Sequence, residues 1–183
     1  MAVWAMGLLA SLVSPQVESA LVASQNDWGH VNKKTLEWRE ANLSPDFMFF
    51  GSSTCYSGID PHALEPYGLT GFNFCSNAQG PQHSTVLLEA ALADHVPAMV
   101  VLDLYPLLCT SANMSAEPLR DWVVNGNLWT APWRAAMLTM LQNTLDPFAA
   151  LQMLYFGLRN TWTPSGDRAK PDPHGTYAEL GFV

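Results

Sequence analysis

The sequence predicts an α/β fold in which a parallel sheet carries helices on its faces. Three short apolar runs with the character of strands, residues 47–50, 69–74 and 98–102, are separated by turns and by one amphipathic helical stretch, residues 81–94. Such alternation is typical of parallel sheets, because each parallel connection requires a crossover. Right-handed crossovers place the carboxyl ends of the strands at one edge, where sheets of this kind bind ligands.

Local signals justify the elements of the N-terminal half. Residues 28–41 are expected to form a short polar helix that ends before the break at Ser44-Pro45. Residues 47–50 are a continuous apolar run that stops at Gly51, as a strand buried on both faces does.

The helix before the third strand has clear boundaries. Pro81 suits a first helical turn, and Pro97 ends the element before the third strand begins. One apolar face is formed by Leu87, Leu88, Ala91 and Leu92.

The second half of the chain is predicted to be helical, as an insertion from about residue 115. Trp133 begins one apolar run at helical spacing, and Phe148 begins another after the break at Asp146-Pro147. Both helices are expected to face the core. Residues 163–177 are polar and Pro-rich and are expected to form a loop.

Composition excludes several classes of function. The formal net charge is -8 and the eight Lys and Arg residues are scattered, so no basic stripe is available to nucleic acid. The three cysteines and five histidines show no zinc-ligand spacing, and the glycines form no nucleotide-binding pattern. We therefore expect neither a metal nor a cofactor.

The N-terminal segment, residues 1–27, reads as a signal-like or membrane-anchor sequence that contacts a membrane. Its first 13 residues are uncharged but too short to span a bilayer, and the first basic residue is Lys33. A basic leader before the numbered start and a buried amphipathic helix both remain open. A third interpretation is a membrane-embedded helical protein. Beyond this segment, no apolar stretch is long enough to support it. We expect residues 28–183 to belong to a domain that is exported or membrane-anchored.

Polar and reactive side chains follow all three predicted strands. They are Ser52, Ser53, Thr54 and Cys55 after the first strand, Cys75, Ser76, Asn77 and Gln79 after the second, and Asp103 and Tyr105 after the third. A serine at the end of a buried strand can act as a nucleophile, if a base and oxyanion donors are near. The alternative is a plain turn in which Ser52 or Ser53 caps the next element.

Several blocks in this region resemble a known family. They are "FGSS" at 50–53, "GIDP" at 58–61, "FN" at 72–73, "SNAQ" at 76–79, "LLEAAL" at 87–92 and "PAMVVLDLY" at 97–105. In order and spacing they are similar to the SGNH (GDSL-like) hydrolase superfamily, in its envelope-associated branch with Gly-Ser-Ser in the first block. The resemblance covers about a third of the chain.

The resemblance implies a three-layer, flavodoxin-like sheet with the first strand central, of which this chain is an incomplete N-terminal portion. It implies that Ser53 is the nucleophile and that its own N–H lies in the oxyanion hole. The further oxyanion or substrate-binding candidates are Ser52, Ser76, Asn77, Gln79 and Asp103. Asp103 stands where the family has an asparagine, and an ionised aspartate cannot donate a hydrogen bond.

The base that would activate Ser53 is not evident in the sequence. The family carries its histidine in a D-x-x-H block, whereas Asp172-Pro173-His174 has one residue too few between the pair. We expect the histidine to lie beyond Val183. Three other histidines are interpreted as surface or capping residues and not as the base: His62, His83 and His95.

Two functions remain as hypotheses. The first is a serine esterase or O-acyltransferase that acts on acyl esters, including those of cell-envelope polysaccharide. The second is a non-catalytic, envelope-anchored domain of the same fold that binds a glycan or a protein.

Cys55 and Cys75 follow neighbouring strands, and either a disulfide or two buried thiols fits that placement.

Overall fold

A computed structural model describes residues 30–105, 118, 121–125, 133–142, 153 and 177–182. The N-terminal segment 1–27 lies outside the described residues. So do His174, Cys109, all but Met153 of the predicted helix from Phe148, and nearly all of the predicted loop 163–177.

The described residues form an α/β structure with three parallel strands and flanking helices. The elements are α1 (Val31–Glu40), β1 (Phe47–Phe50), α2 (Ser53–Gly58), a 3₁₀ helix (Pro61–Tyr67), β2 (Gly71–Asn73), α3 (Pro81–Asp94), β3 (Met99–Leu102), a π-helical turn (Asp121–Asn125) and α4 (Trp133–Gln142). The prediction of a parallel α/β sheet is confirmed, and the bounds of β1 and α3 are those predicted.

β1 is the central strand, in the order β2-β1-β3. Phe47 pairs with Gly71 on one side and with Met99 on the other, and both pairings are parallel. The ladder continues beyond the strands, because the Phe74 N–H donates to Phe49 O at 2.8 Å and the Asp103 N–H donates to Phe50 O at 2.8 Å. The residues that follow the three strands are thereby held side by side at one edge of the sheet.

One face of the sheet packs an aromatic core against α1 and α4. Phe74 is at its centre and is 1 % exposed. Five ring partners surround it: Trp38, Phe50, Phe72, Trp122 and Trp133. The indole N–H groups of Trp38 and Trp133 both donate to Asp94 Oδ2, at 3.1 and 2.6 Å, so the cluster is also tied to the end of α3.

The opposite face carries a smaller cluster that includes a disulfide. Phe49, Cys55, Tyr56 and Cys75 are buried there. Cys55 and Cys75 are joined, with their Cα atoms 5.8 Å apart, within the range that disulfides require. Of the two alternatives for these cysteines, a disulfide or two buried thiols, the structure has the disulfide. It links α2 to Cys75, the residue after Phe74.

β3 is more exposed than its apolar sequence indicates. Met99 is 52 % exposed, and Val100 and Leu102 are exposed too; after the strand, Leu104 and Tyr105 are exposed as well. Among the described strands only β1 pairs with it. Its apolar residues therefore contribute less to the described core than those of β1 do.

Residues 177–182 lie against the outer edge of β2. The Asn73 N–H donates to Leu180 O at 2.9 Å. Glu37 of α1 accepts hydrogen bonds from the Tyr177 hydroxyl and, at 2.9 Å, from the Leu180 N–H. Burial, and then the neighbouring Glu37 carboxylate, raise the pKa of Tyr177 far above its ordinary value. This segment thus fastens the C-terminal residues to α1 and β2.

Two polar side chains of the helices are buried, and the burial of one of them contradicts the sequence interpretation. His83 is 1 % exposed, so its interpretation as a surface or capping histidine is wrong; it is buried with Ser84, Leu87 and Ala91 on the inner face of α3. Lys34 is fully buried as well, and its ammonium donates to Cys75 O at 2.6 Å.

Within the described ranges, no helix has the length and apolar character needed to cross a membrane.

Candidate functional site

The turn after β1 presents Ser53 at the start of a helix. Ser53 is the first residue of α2 and is partly exposed, while Ser52 before it is buried. Ser52 O accepts the first helical hydrogen bonds, from the Cys55 and Tyr56 N–H groups at 3.0 and 3.2 Å. Within the described residues the N–H groups of Ser53 and Thr54 have no backbone acceptor. A helix start leaves such donors open to a ligand or to water.

Asp103, after β3, contacts this turn from the other side. Its Oδ2 accepts from the Ser52 hydroxyl at 2.9 Å, the Thr54 hydroxyl at 2.6 Å and the Ser52 N–H at 3.3 Å. Its Oδ1 accepts from the Tyr105 N–H at 2.9 Å. The convergence of the first and third strand ends, which the sequence predicts, is confirmed for Ser52 and Asp103.

The hydrogen bonds keep Asp103 ionised. Partial burial by itself would raise its pKa, but the bonds from Thr54, Tyr105 and Ser52 together outweigh burial and lower the pKa below its ordinary value. At neutral pH Asp103 is therefore a carboxylate with acceptors only, and it cannot donate to an oxyanion.

Gly51 allows the first and third strand ends to approach each other. A Cβ on Gly51 would overlap the Asp103 Cβ and lie 3.1 Å from the Asp103 carboxyl carbon. We expect Gly51→Ala to lower the free energy of unfolding by about 1–3 kcal/mol, because the two strand ends must separate to admit the methyl group.

Urea denaturation measures this effect, and Gly58→Ala is the matched control. Apart from its chain neighbours and the backbone of its own helix, no heavy atom lies within 4 Å of a Cβ built on Gly58, at the end of α2. Alanine there is neutral or stabilising by up to about 1 kcal/mol, since it favours the helix. Equal stability of the two variants would contradict the close approach at Gly51.

The turn after β2 is held by a buried polar network. The Ser76 N–H donates to Gly51 O at 3.1 Å, which joins the first and second strand ends. The Trp122 indole N–H donates to Ser76 Oγ and Gln79 Oε1 at 2.9 and 3.0 Å, and Gln79 Nε2 donates to Ser84 Oγ at 3.1 Å. Ser76 and Gln79 are both fully buried. Asn77 is partly exposed between them, so it is the most accessible of the three second-strand candidates.

Asn73, at the end of β2, connects this turn to α2. Its side-chain amide donates to Cys55 O and Ile59 O, both at 3.1 Å, and its Oδ1 accepts from the Cys75 N–H at 2.9 Å. Together with the disulfide, these bonds fix the helix that begins at Ser53.

Sequence reasoning missed two contributors to this edge, Trp122 and Lys34, and it named Thr54 without assigning it a contact. The Thr54 hydroxyl lies on Asp103, the Trp122 indole holds the second turn, and Lys34 lies under it with its ammonium 5.3 Å from the Tyr56 ring. The sequence showed Thr54 beside Ser53, among the polar residues that follow the first strand. Trp122 and Lys34 had no local signal, because their partners are 46 and 41 residues away.

The described residues place no histidine in hydrogen-bond contact with Ser53 Oγ. His62 pairs with Asp60 at 2.7 Å, and His95 lies on Pro45 O at 3.1 Å. In the part of the chain that the structure describes, no cluster of three or more His, Cys, Asp or Glu side chains could hold a metal ion.

Comparison with protein-family models, with curated proteins and with solved structures gives no match to this chain.

Proposed function

We propose that the protein is a serine esterase or O-acyltransferase that uses Ser53 as its nucleophile. The observation that carries the proposal is the placement of Ser53, partly exposed at the end of the central strand and at the start of α2. Its hydroxyl makes no hydrogen bond within the described residues, whereas the neighbouring Ser52 and Thr54 hydroxyls are both engaged by Asp103. A nucleophile needs this combination of a fixed backbone and an accessible oxygen.

The chemistry would proceed by acyl transfer through Ser53. Its Oγ attacks the carbonyl carbon of an acyl ester, and its proton passes to a base. The N–H groups of Ser53 and Thr54, which have no backbone acceptor among the described residues, would stabilise the oxyanion. The alcohol leaves with a proton, and water or a second hydroxyl then takes the acyl group from the serine. We propose that this base is a histidine outside the described residues.

The resemblance to the SGNH superfamily supports this proposal through the residues that match its blocks. "FGSS" ends β1, "SNAQ" lies in the turn after β2, and "VLD" leads from β3 to Asp103. We propose the SGNH type of fold on this ground. The envelope-associated branch leads us to propose an acylated envelope polysaccharide as the class of substrate.

Labelling with a fluorophosphonate probe tests the proposal. We expect the wild-type chain to form a covalent adduct at Ser53, identified by peptide mass, and Ser53→Ala to lose the adduct. Ser57→Ala is the matched control, because Ser57 is an exposed serine of the same helix whose hydroxyl donates to Ser53 O at 2.6 Å. Retained esterase activity in Ser53→Ala, or equal labelling of all three proteins, would refute the assignment.

A non-catalytic domain that binds a glycan or a protein is the second candidate. Two observations favour it: the Asp103 carboxylate occupies the position of a family donor, and no described histidine contacts Ser53. Titration with acetylated and deacetylated polysaccharide separates the two candidates. Binding without adduct formation or turnover would support the binding module.

A further inference from the structure

The Asp103 carboxylate holds both neighbours of Ser53 and leaves Ser53 itself free. Its Oδ2 receives the hydroxyls of Ser52 and Thr54 at 2.9 and 2.6 Å, and these two hydroxyl oxygens lie 2.8 Å from each other. The residues at positions 52 and 54 are therefore joined through one oxygen atom, the Asp103 Oδ2, and Ser53, which lies between them in the chain, makes no hydrogen bond to this joint and is partly exposed.

Asp103 is itself fixed from two directions. Its N–H donates to Phe50 O at 2.8 Å, which continues the pairing of β1 with β3, and its Oδ1 accepts from the Tyr105 N–H at 2.9 Å. The missing side chain of Gly51 admits it to the turn. Because the carboxylate is fixed in this way, it can hold the turn after β1 in a defined position relative to β3.

We propose that Asp103 is a positioning residue for Ser53, which fixes the turn through Ser52 and Thr54 so that the Ser53 hydroxyl and N–H face the acyl group. The inference rests on the proposed function, since it assigns Asp103 a role in the reaction of Ser53. It replaces the sequence expectation that Asp103 binds the oxyanion or the substrate directly.

Charge and geometry favour positioning over direct binding. An ionised carboxylate has acceptors only, and it would repel a developing oxyanion instead of stabilising it. Hydrogen bonds to an ionised acceptor are about twice as strong as neutral ones, so the joint is well suited to hold a turn. A displacement of about 1 Å at a nucleophile costs about a hundredfold in rate, which makes such a joint consequential.

Substitution of Asp103 separates reactivity from probe binding. We expect Asp103→Asn to lower kinact for fluorophosphonate labelling of Ser53 by about tenfold and Asp103→Ala by about a hundredfold, with KI within about twofold of the wild-type value. The asparagine retains one acceptor oxygen, so partial rescue by this conservative variant is part of the expectation. A rise in KI with kinact unchanged would overturn the proposal, because it would place Asp103 on the probe.

Asp46 provides a matched control at the opposite end of β1. Its carboxylate accepts from the Thr70 N–H and hydroxyl at 2.8 and 2.9 Å, so Asp46→Asn removes a similar pair of charge-assisted bonds far from Ser53. We expect kinact within about twofold of the wild-type value for this variant. An equal loss in both asparagine variants would show general loosening of the sheet and would also overturn the proposal.

A background that lacks the two hydroxyls tests how Asp103 acts. In Ser52→Ala/Thr54→Val the partners of the joint are absent, and we expect a loss of kinact close to that of Asp103→Ala. Adding Asp103→Asn to this background should change kinact by less than about twofold, since the two changes remove the same joint. A full further tenfold loss would mean that Asp103 acts by another route.

Amide hydrogen exchange supplies a readout that needs no reactivity at Ser53. We expect Asp103→Asn to accelerate exchange at residues 52–56 by about tenfold or more and to leave α3 unchanged. If the wild-type chain does not label, the proposed function fails, yet faster exchange at this turn would still support the joint. Unchanged exchange would overturn positioning by Asp103. If Asp103→Asn does not fold, Thr54→Val, at an exposed site, repeats the exchange measurement.

Discussion

Phe74→Ala is expected to lower the free energy of unfolding by about 3–5 kcal/mol, the range for removal of a fully buried phenylalanine ring. Phe74 is 1 % exposed, and its ring centroid lies 4.7 Å from that of Phe72 and 4.8 Å from that of Trp38. It also stacks on Phe50 with the centroids 5.1 Å apart. Since rings from α1, α4, β1 and β2 contact this ring, no single neighbour can move to fill the space.

Urea denaturation followed by far-ultraviolet circular dichroism measures the loss. Phe47→Ala is the matched control, because Phe47 is only partly buried and lies in the smaller cluster on the other face of the sheet. We expect it to cost about 1–2 kcal/mol. A loss below about 1 kcal/mol for Phe74→Ala would show that the aromatic core closes around the vacancy.

Reduction of the Cys55–Cys75 disulfide is expected to cost about 3 kcal/mol of stability. The two cysteines are 20 residues apart, and a loop of about this length loses that much unfolded-state entropy when it is closed. The closed loop contains α2 from Cys55 onward, the 3₁₀ helix and β2, so the bridge restricts the unfolded chain next to the strand ends that form the candidate site.

A Cys109→Ala background isolates the bridge, because it leaves only Cys55 and Cys75. We expect its urea midpoint to fall when dithiothreitol is added, and the triple alanine variant to show no response to dithiothreitol. Thiol titration of the unfolded, unreduced wild-type chain should find one free thiol. Three free thiols would contradict the disulfide.

The sequence carries strong local signals for β1 and α3, and their bounds follow directly from it. Gly51 stops the first, and Pro81 opens the second. β2 is shorter than the predicted 69–74, because only Gly71–Asn73 pair with β1 as a strand. Local pattern cannot set that limit, since the partner strand decides it.

The burial of His83 and the roles of Ser76 and Gln79 were beyond the reach of sequence reasoning. His83 lies on the side of α3 that packs inward, and that orientation depends on elements more than 30 residues away, including α4. Ser76 and Gln79 were expected at the edge of the sheet, which they occupy, but the Trp122 indole determines which of their atoms are engaged. Convergence at the edge was therefore predictable, and the allocation of hydrogen bonds was not.

The exposed apolar residues of β3 are also expected to affect the solubility of the protein. Residues 96–102 contain no charged side chain, and among the described strands β3 pairs with β1 alone. An unpaired strand edge can pair with another chain. The formal net charge of -8 opposes such encounters at low ionic strength. Screening shortens the reach of this repulsion to about 8 Å at physiological salt, so added salt works against solubility by bringing these edges within reach of one another.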